Sequence, residues 1–327
     1  MNVIGASPPP TAAATTGPAA TPKRPGALQR FFDSDFVYSF RRSPVAVVSA
    51  IVVLVCLIGA FFSPWLAPHN PFDLASLNLM DSFKPPAFLA GGDPAFPLGT
   101  DDQGRDVLSG IMYGAKISLI VGFAAIAFAI IVGISVGLVA GYLGGIVDTV
   151  LMRVADIQLT FPAILIALLV DGVVRAILPR EFHERMELYV LIFAIGIARW
   201  PQFARTVRGS TLVERGKDYV MAARVIGLSS TKIMRSHILP NVLGPVLVIG
   251  TLNLGLAVLD EATLSFLGVG LPPTQPSLGT LIRIGNDFLF SGEWWITIFP
   301  GIALAMMVLS FNLLGDWLRD ALNPRLR

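Results

Sequence analysis

The chain has 327 residues, of which 54% are hydrophobic and 14% charged, with a formal net charge of +2 and a mean hydropathy of +0.70. Soluble domains carry about 25% charged residues, so this composition excludes one and points to an all-α, polytopic membrane protein. The net charge is too small to suggest a nucleic-acid partner. The single cysteine, Cys56, lies inside an apolar run and is expected to act as a small hydrophobe, leaving no disulfide framework.

Residues 1–40 read as a disordered cytoplasmic tail, the first 29 of them rich in Pro, Ala and Thr. They lack the charged, apolar and cleavable parts of a signal peptide, so the first apolar run is expected to be a retained span. A bilayer core of about 30 Å needs about 20 apolar residues per helix. On that measure six spans are expected: 45–66, 117–142, 157 to beyond Asp171, 188–203 across Arg199, 238–259, and 294–315. The charge-free stretch 262–282 competes for a seventh. Gly268, Gly270, Pro272, Pro273, Pro276 and Gly279 interrupt it, so it reads as an external folded loop or a re-entrant segment.

Lys and Arg accumulate on the cytoplasmic side of membrane proteins. Residues 1–44 hold five and residues 201–240 hold seven, whereas residues 67–116 carry three against six aspartates. Six spans with both termini cytoplasmic satisfy this distribution and leave the 67–116 loop outside. All five tryptophans fall near expected span ends, which reads as an interfacial belt. The domains expected are a tail (1–40), a first span with its external loop (41–112), and a transmembrane domain (113–327) with a cytoplasmic loop at about 205–240.

Within that loop the chain reads DYVMAARVIGLSSTKIMRSHILP (218–240). Ala223 and Gly227, four residues apart on a helical pattern, lie on one face where another surface approaches closely. Gly227 suits a helix stop, Ser229 and Ser230 suit the cap of a second short helix, and Pro240 marks the start of the next apolar run. This spacing resembles the cytoplasmic loop of ABC importer membrane subunits: Glu-Ala-Ala, three residues, Gly, nine residues, then Ile-x-Leu-Pro. Ala222, Ala223, Gly227, Leu239 and Pro240 match in register, while Met221 replaces the Glu and His237 replaces the Ile.

The resemblance extends to LGTDDQGRDVLS (98–109), YGAKISLIVG (113–122), AGYLGG (140–145), DEATLSFLGVG (260–270) and the segment 299–327. Over residues 40–327 the chain is similar to the C-type permease subunit of the dipeptide, oligopeptide and nickel branch of these importers. The resemblance implies a type I ABC importer permease fold in a bacterial inner membrane. Its implied partners are a homologous permease, two cytoplasmic ATP-binding subunits, an external substrate-binding protein and membrane lipid.

The resemblance also implies that ATP and Mg are bound by the ATPase partners, while this chain binds no cofactor or metal and has no catalytic residue. It lacks the G-x-x-x-x-G-K-[ST] phosphate cradle. Ala222, Ala223 and Gly227 are expected to pack against an ATPase, with Arg224 as a polar contact and Leu239 and Pro240 closing the loop. A di- or oligopeptide is the substrate implied first; nickel chelates, opines, glutathione and glycosides are the alternatives.

Asp101, Asp102, Arg105 and Asp106 read as an Asp–Arg structural network in a tight turn outside the second span, and Asp101, Arg105 and Asp106 are retained as external-site candidates. Asp260 and Glu261, at the close of the fifth span, are candidates for an outer gate, because charge at membrane depth is costly. Asp171 and Arg175 read as a local helical pair, Arg199 as a residue snorkelling to the cytoplasmic interface. Ser118, Gly122 and Thr251 read as lining a wide cavity. A self-contained secondary transporter is the rival reading, but no internal repeat is visible. A membrane-embedded enzyme is disfavoured by the dispersed histidines.

Overall fold

The computed structural model describes residues 35–73, 77–177, 179–272 and 274–321, so most of the expected N-terminal tail and the basic C-terminus beyond 321 lie outside the described residues. The chain divides into two units. The first contains α1 (Asp35–Arg42), in which Arg42 Nη1 donates to Tyr38 Oη at 3.0 Å one turn away.

The second unit begins at Ser43 and is helical apart from a single bridge between Thr100 and Asp106 among the described residues. Ser43 caps α2 (Pro44–Phe61), its Oγ accepting from Ala46 N at 3.3 Å, and Pro44 stands in the first turn, where its missing N–H costs nothing. The short α3 (Ser63–Leu66) follows. A loop with one 3-10 turn (Leu79–Asp81) leads to α4 (Val107–Leu143), a 37-residue helix capped by Asp106 and stopped at Gly144, whose φ of +70° suits glycine. At 1.5 Å per residue α4 is roughly 55 Å long, well beyond a bilayer core.

The remaining helices are α5 (Gly145–Leu159), α6 (Ala163–Ile177), α7 (Arg180–Glu214), α8 (Asp218–Val225), α9 (Ser230–Ile233), α10 (Leu239–Phe266), α11 (Leu278–Asn286) and α12 (Trp295–Ala321). A five-residue π-helix, Met234–Ile238, joins α9 to α10. Helices α5 and α6 meet at 96°. Pro162, which brings no N–H, stands at that break.

Four helical stretches are long and apolar enough to cross a membrane: Pro44–Phe61, Val107–Leu143, Ser230–Phe266 and Trp295–Ala321. The bent pair α5 and α6 makes a fifth if it is one span. The third expected span, from Ile157, falls across this bent pair. The fourth lies within α7, which is not among the four. Around Arg199 that helix still buries Leu191, Ile195, Phe203 and Val207 at 1% exposure or less.

The most extensive helix pairing is α4 against α7, and three glycines on one face of α4 make it possible. A Cβ on Gly133 would lie 3.0 Å from Ala204 N, on Gly137 2.6 Å from Ala204 O, and on Gly141 2.7 Å from Thr211 Cβ. Small residues four apart let two backbones approach where lipid supplies no hydrophobic driving force. Gln158 of α5 fastens the same helix, accepting from Trp200 Nε1 at 3.0 Å and donating to Ile197 O. Trp200 is 7% exposed and Trp295 7%, so these two are core residues and not part of an interfacial belt. Arg175 holds α6 to α7, pairing with Asp171 at 2.7 Å as expected and also with Glu187 at 2.6 Å.

Candidate coupling loop and polar sites

The loop between α7 and α10 is built from two short helices around one tight turn. Asp218 in the first turn of α8 and Arg224 in its last complement the helix dipole. Helix α8 ends in a Schellman arrangement: Gly227 N donates to Arg224 O at 3.0 Å and Leu228 N to Ala223 O at 3.1 Å. Gly227 has φ +78° and nothing within 4 Å of where a Cβ would stand. Backbone conformation, and not close packing within this chain, therefore demands glycine there. Ala223 is turned into the core at 3% exposure, whereas Ala222 is exposed, together with the larger Met221, Val225 and Ile226.

Arg224 lies with its guanidinium 5.0 Å from the centre of the Tyr142 ring, at the end of α4. Arg215 Nη1 donates to the carbonyls of Gly141 and Tyr142, both at 3.1 Å, satisfying the open end of the same helix. Arg208 makes a bidentate pair with Asp148 of α5 at 2.5 and 2.7 Å. Ser229 occupies the position before α9 but its side chain makes no capping bond. Leu239 and Pro240 open α10, with the proline in the first turn.

A polar knot missed from the sequence holds the neck of this loop. Tyr219 Oη donates to Glu214 Oε2 at 2.5 Å and accepts from Asn241 Nδ2 at 3.0 Å, while Lys217 Nζ reaches Glu214 Oε1 at 2.6 Å. Burial and the adjacent Glu214 carboxylate push the Tyr219 hydroxyl up to about 12, so it stays protonated. Burial opposes ionisation of Glu214, but the bonds from Lys217 and Tyr219 outweigh it and hold that carboxyl below its usual range.

Outside the spans, Asp101 and Arg105 close the expected turn. Asp101 Oδ1 accepts from Gln103 N and Arg105 N, both at 2.9 Å, and Oδ2 from Arg105 Nε at 2.6 Å. Gly99 and Gly104 take φ values of +81° and +76° on either side. Trp295 Nε1 donates to Thr100 O at 3.1 Å and ties the turn to α12. Asp106 accepts from Ser109 N at 2.9 Å as the N-cap of α4. These contacts describe a structural network. Replacing Asp106 with alanine is expected to destabilise the chain by about 1–2 kcal/mol, the usual loss for an N-cap, readable as a lowered unfolding midpoint.

Asp260 and Glu261 do not close a span; α10 runs on to Phe266. Neighbours in sequence, they point to different partners. Both Nε and Nη2 of Arg199 donate to Asp260 Oδ2, at 2.9 and 2.6 Å, so Arg199 is buried and paired in α7 and does not snorkel. Glu261 has no exposure at all. Its carboxylate accepts from Ser118 Oγ of α4 at 2.6 Å and Ser265 Oγ at 2.7 Å, and it also bonds the Ser277 hydroxyl, the cap of α11. Ser118 Oγ in turn accepts from Leu278 N at 3.3 Å. Ser118 is thus spent on this knot, and a Cβ on Gly122 would lie 2.7 Å from Val258 Cγ2, so within this chain these two residues pack against α10.

Residues 133–327 match the family described as binding-protein-dependent transport system inner membrane component. Residues 32–86 match the N-terminal TM domain of oligopeptide transport permease C. The chain is 41% identical to the dipeptide transport system permease protein DppC of Escherichia coli K12, over 90% of this chain and 93% of that one. It is 37% identical to the dipeptide permease DppC of Haemophilus influenzae, over 90% and 95% of the two chains. A chain of the MetNI methionine ABC transporter, solved in inward-facing conformations, superposes with a TM-score of 0.50 at 20% identity, over 64% of this chain and 94% of that one, and shows the fold alone. The chain belongs to the C-subunit family of dipeptide/oligopeptide-type ABC importers, whose members are inner-membrane permease components acting with a paired permease, ATPase subunits and an external binding protein, and are not themselves the ATPase.

Proposed function

We propose that the chain carries di- or oligopeptides inward, crossing the membrane six times with both termini cytoplasmic, and that its 205–240 loop takes up the movement of an ATPase. The peptide substrate is supported by the names of relatives that match nearly end to end. The sixth crossing is α7: its one charge within 188–203, Arg199, is neutralised by Asp260, which removes the main cost of placing it in lipid. The excess of Lys and Arg in 1–44 and 201–240 sets the orientation. On this reading 113–327 is the transport domain, 41–112 adds the first span with its external loop, and 1–40 is a cytoplasmic tail. Asp260, beside the exposed Leu256 and Leu259 on α10, borders the path, and Glu261 anchors α11. Asp101, Arg105 and Asp106 brace the external turn.

The observation that carries the coupling role is the stiff, capped α8, which presents Ala222, Met221, Val225 and Ile226 beside the cation of Arg224. A partner with an apolar groove and an acidic rim fits that surface. Gly227→Val forces a β-branched residue to φ +78° and dismantles the cap. In cells lacking the native chain, the wild type is expected to restore uptake of a labelled dipeptide. The variant should insert normally yet lose both uptake and co-purifying ATPase. Uptake by the variant at the wild-type rate would remove the loop from the mechanism; a folded wild type that carries no peptide would remove the substrate.

A further inference from the structure

Glu214, Tyr219 and Asn241 stand on three separate elements: the last residue of α7, the second of α8 and the third of α10. One phenolic hydroxyl joins them, donating to the Glu214 carboxylate at 2.5 Å and accepting from the Asn241 amide at 3.0 Å. The same amide donates to His237 O at 2.7 Å, at the end of the π-helix. Between α8 and α10 the covalent path is poorly suited to carry force. It contains the positive-φ turn at Gly227 and, inside the continuous helical stretch Ser230–Phe266, the π-helix Met234–Ile238, followed by Pro240 with no N–H to give. Each of these absorbs displacement by small changes in backbone torsion. The side-chain bridge bypasses all of them.

We propose that Tyr219 is a positioning residue for energy coupling: its hydroxyl clasps the two stems of the loop so that a displacement of α8 moves the start of α10 with it. This rests on the reading that the loop docks on an ATPase and deepens it. The other flank of α8 is already held to α4 by Arg224 over the Tyr142 ring, so with the clasp α8 is a lever attached by side chains to three helices, α4, α7 and α10. Its destination is informative. Helix α10 carries Asp260 and Glu261, so motion delivered at Asn241 passes Pro245 in the same helix and arrives at the Arg199 pair and at the serine knot that holds α11. Glu214 accepts from both Tyr219 and Lys217, which fixes the carboxylate that the hydroxyl needs. Hydroxyl and carboxylate keep complementary protonation states across the physiological range, so the clasp has no pH switch of its own.

The test uses the complete complex in liposomes with its binding protein, comparing wild type, Tyr219→Phe and Asn241→Leu. Phenylalanine keeps the ring and removes only the hydroxyl; Asn241→Leu leaves the Tyr219–Glu214 bond and removes the amide's bonds to Tyr219 and to His237 O. Both variants are expected to retain ATPase subunits and hydrolyse ATP, while peptide moved per ATP falls, about tenfold for Tyr219→Phe, which loses a charge-assisted hydrogen bond, and about fivefold for Asn241→Leu, which loses only neutral ones. An unchanged transport-to-hydrolysis ratio in either variant overturns the clasp. So does loss of ATPase subunits in step with transport, because the hydroxyl then serves docking or folding. The Gly227→Val variant separates the two readings: if it keeps its ATPase and its uptake, the docking reading fails, whatever Tyr219 does.

Discussion

Replacing Asp260 with alanine is expected to cost the folded chain about 3–5 kcal/mol, because it strands Arg199 in the interior of a membrane helix bundle. The guanidinium is 7% exposed at the residue level and directs two of its donors, Nε and Nη2, to a single carboxylate oxygen. Its remaining contact is a 3.4 Å approach of Nη1 to Asn253 Oδ1, too long to replace an ion pair. The loss is read as a fall in the unfolding midpoint of the purified chain. The double variant Arg199→Met/Asp260→Leu should recover most of it, since an apolar pair of similar volume leaves no buried charge. With Asp260 bordering the path, the recovered variant is expected to assemble with its ATPase yet transport slowly. Full transport by the double variant would reduce the pair to a tie between α7 and α10.

Much of the architecture is legible along the chain because lipid imposes a local rule: about 20 apolar residues in succession. Spans around 45–66, 238–259 and 294–315 each overlap a long helix over most of their length for that reason. The family motifs are legible because their spacing survives in one dimension. What escapes is tertiary. Arg199 reads as an interfacial residue until Asp260, 61 positions on, is folded against it. The start of α4 escapes because the charge-free run begins after Lys116, whereas the helix itself is nucleated ten residues earlier by the Asp106 cap. A span and a helix obey different rules. Tyr219 carries no signal of its role, since both partners lie on other elements and the π-helix that brings Asn241 into reach has no composition of its own. Glu261 was legible as a costly charge, but only the fold shows three serines from two helices and a cap converging on it.

The largest structural effect is expected at Gly137. On α4 it falls between Gly133 and Gly141 at four-residue spacing, a pattern present in the sequence whose partner only the fold identifies. A Cβ at Gly137 would stand 2.6 Å from Ala204 O and 2.7 Å from Val207 Cβ, and both obstacles belong to the rigid body of α7. A leucine there cannot be absorbed by rotating a side chain; α7 must withdraw. Overpacking in a tight core costs about 1–3 kcal/mol. Here withdrawal also stretches the Arg208–Asp148 and Arg199–Asp260 pairs that α7 makes to other helices, at 2.5 and 2.6 Å, so the penalties accumulate. Gly137→Leu is therefore expected to abolish the monodisperse, detergent-stable chain in size-exclusion profiles of a fluorescent fusion. Gly209 on α7, exposed and with nothing within 4 Å of its own Cβ position, supplies the control. Gly209→Ala should leave the profile unchanged, and a Gly137→Leu chain that elutes like it would mean that α4 and α7 do not pack backbone to backbone.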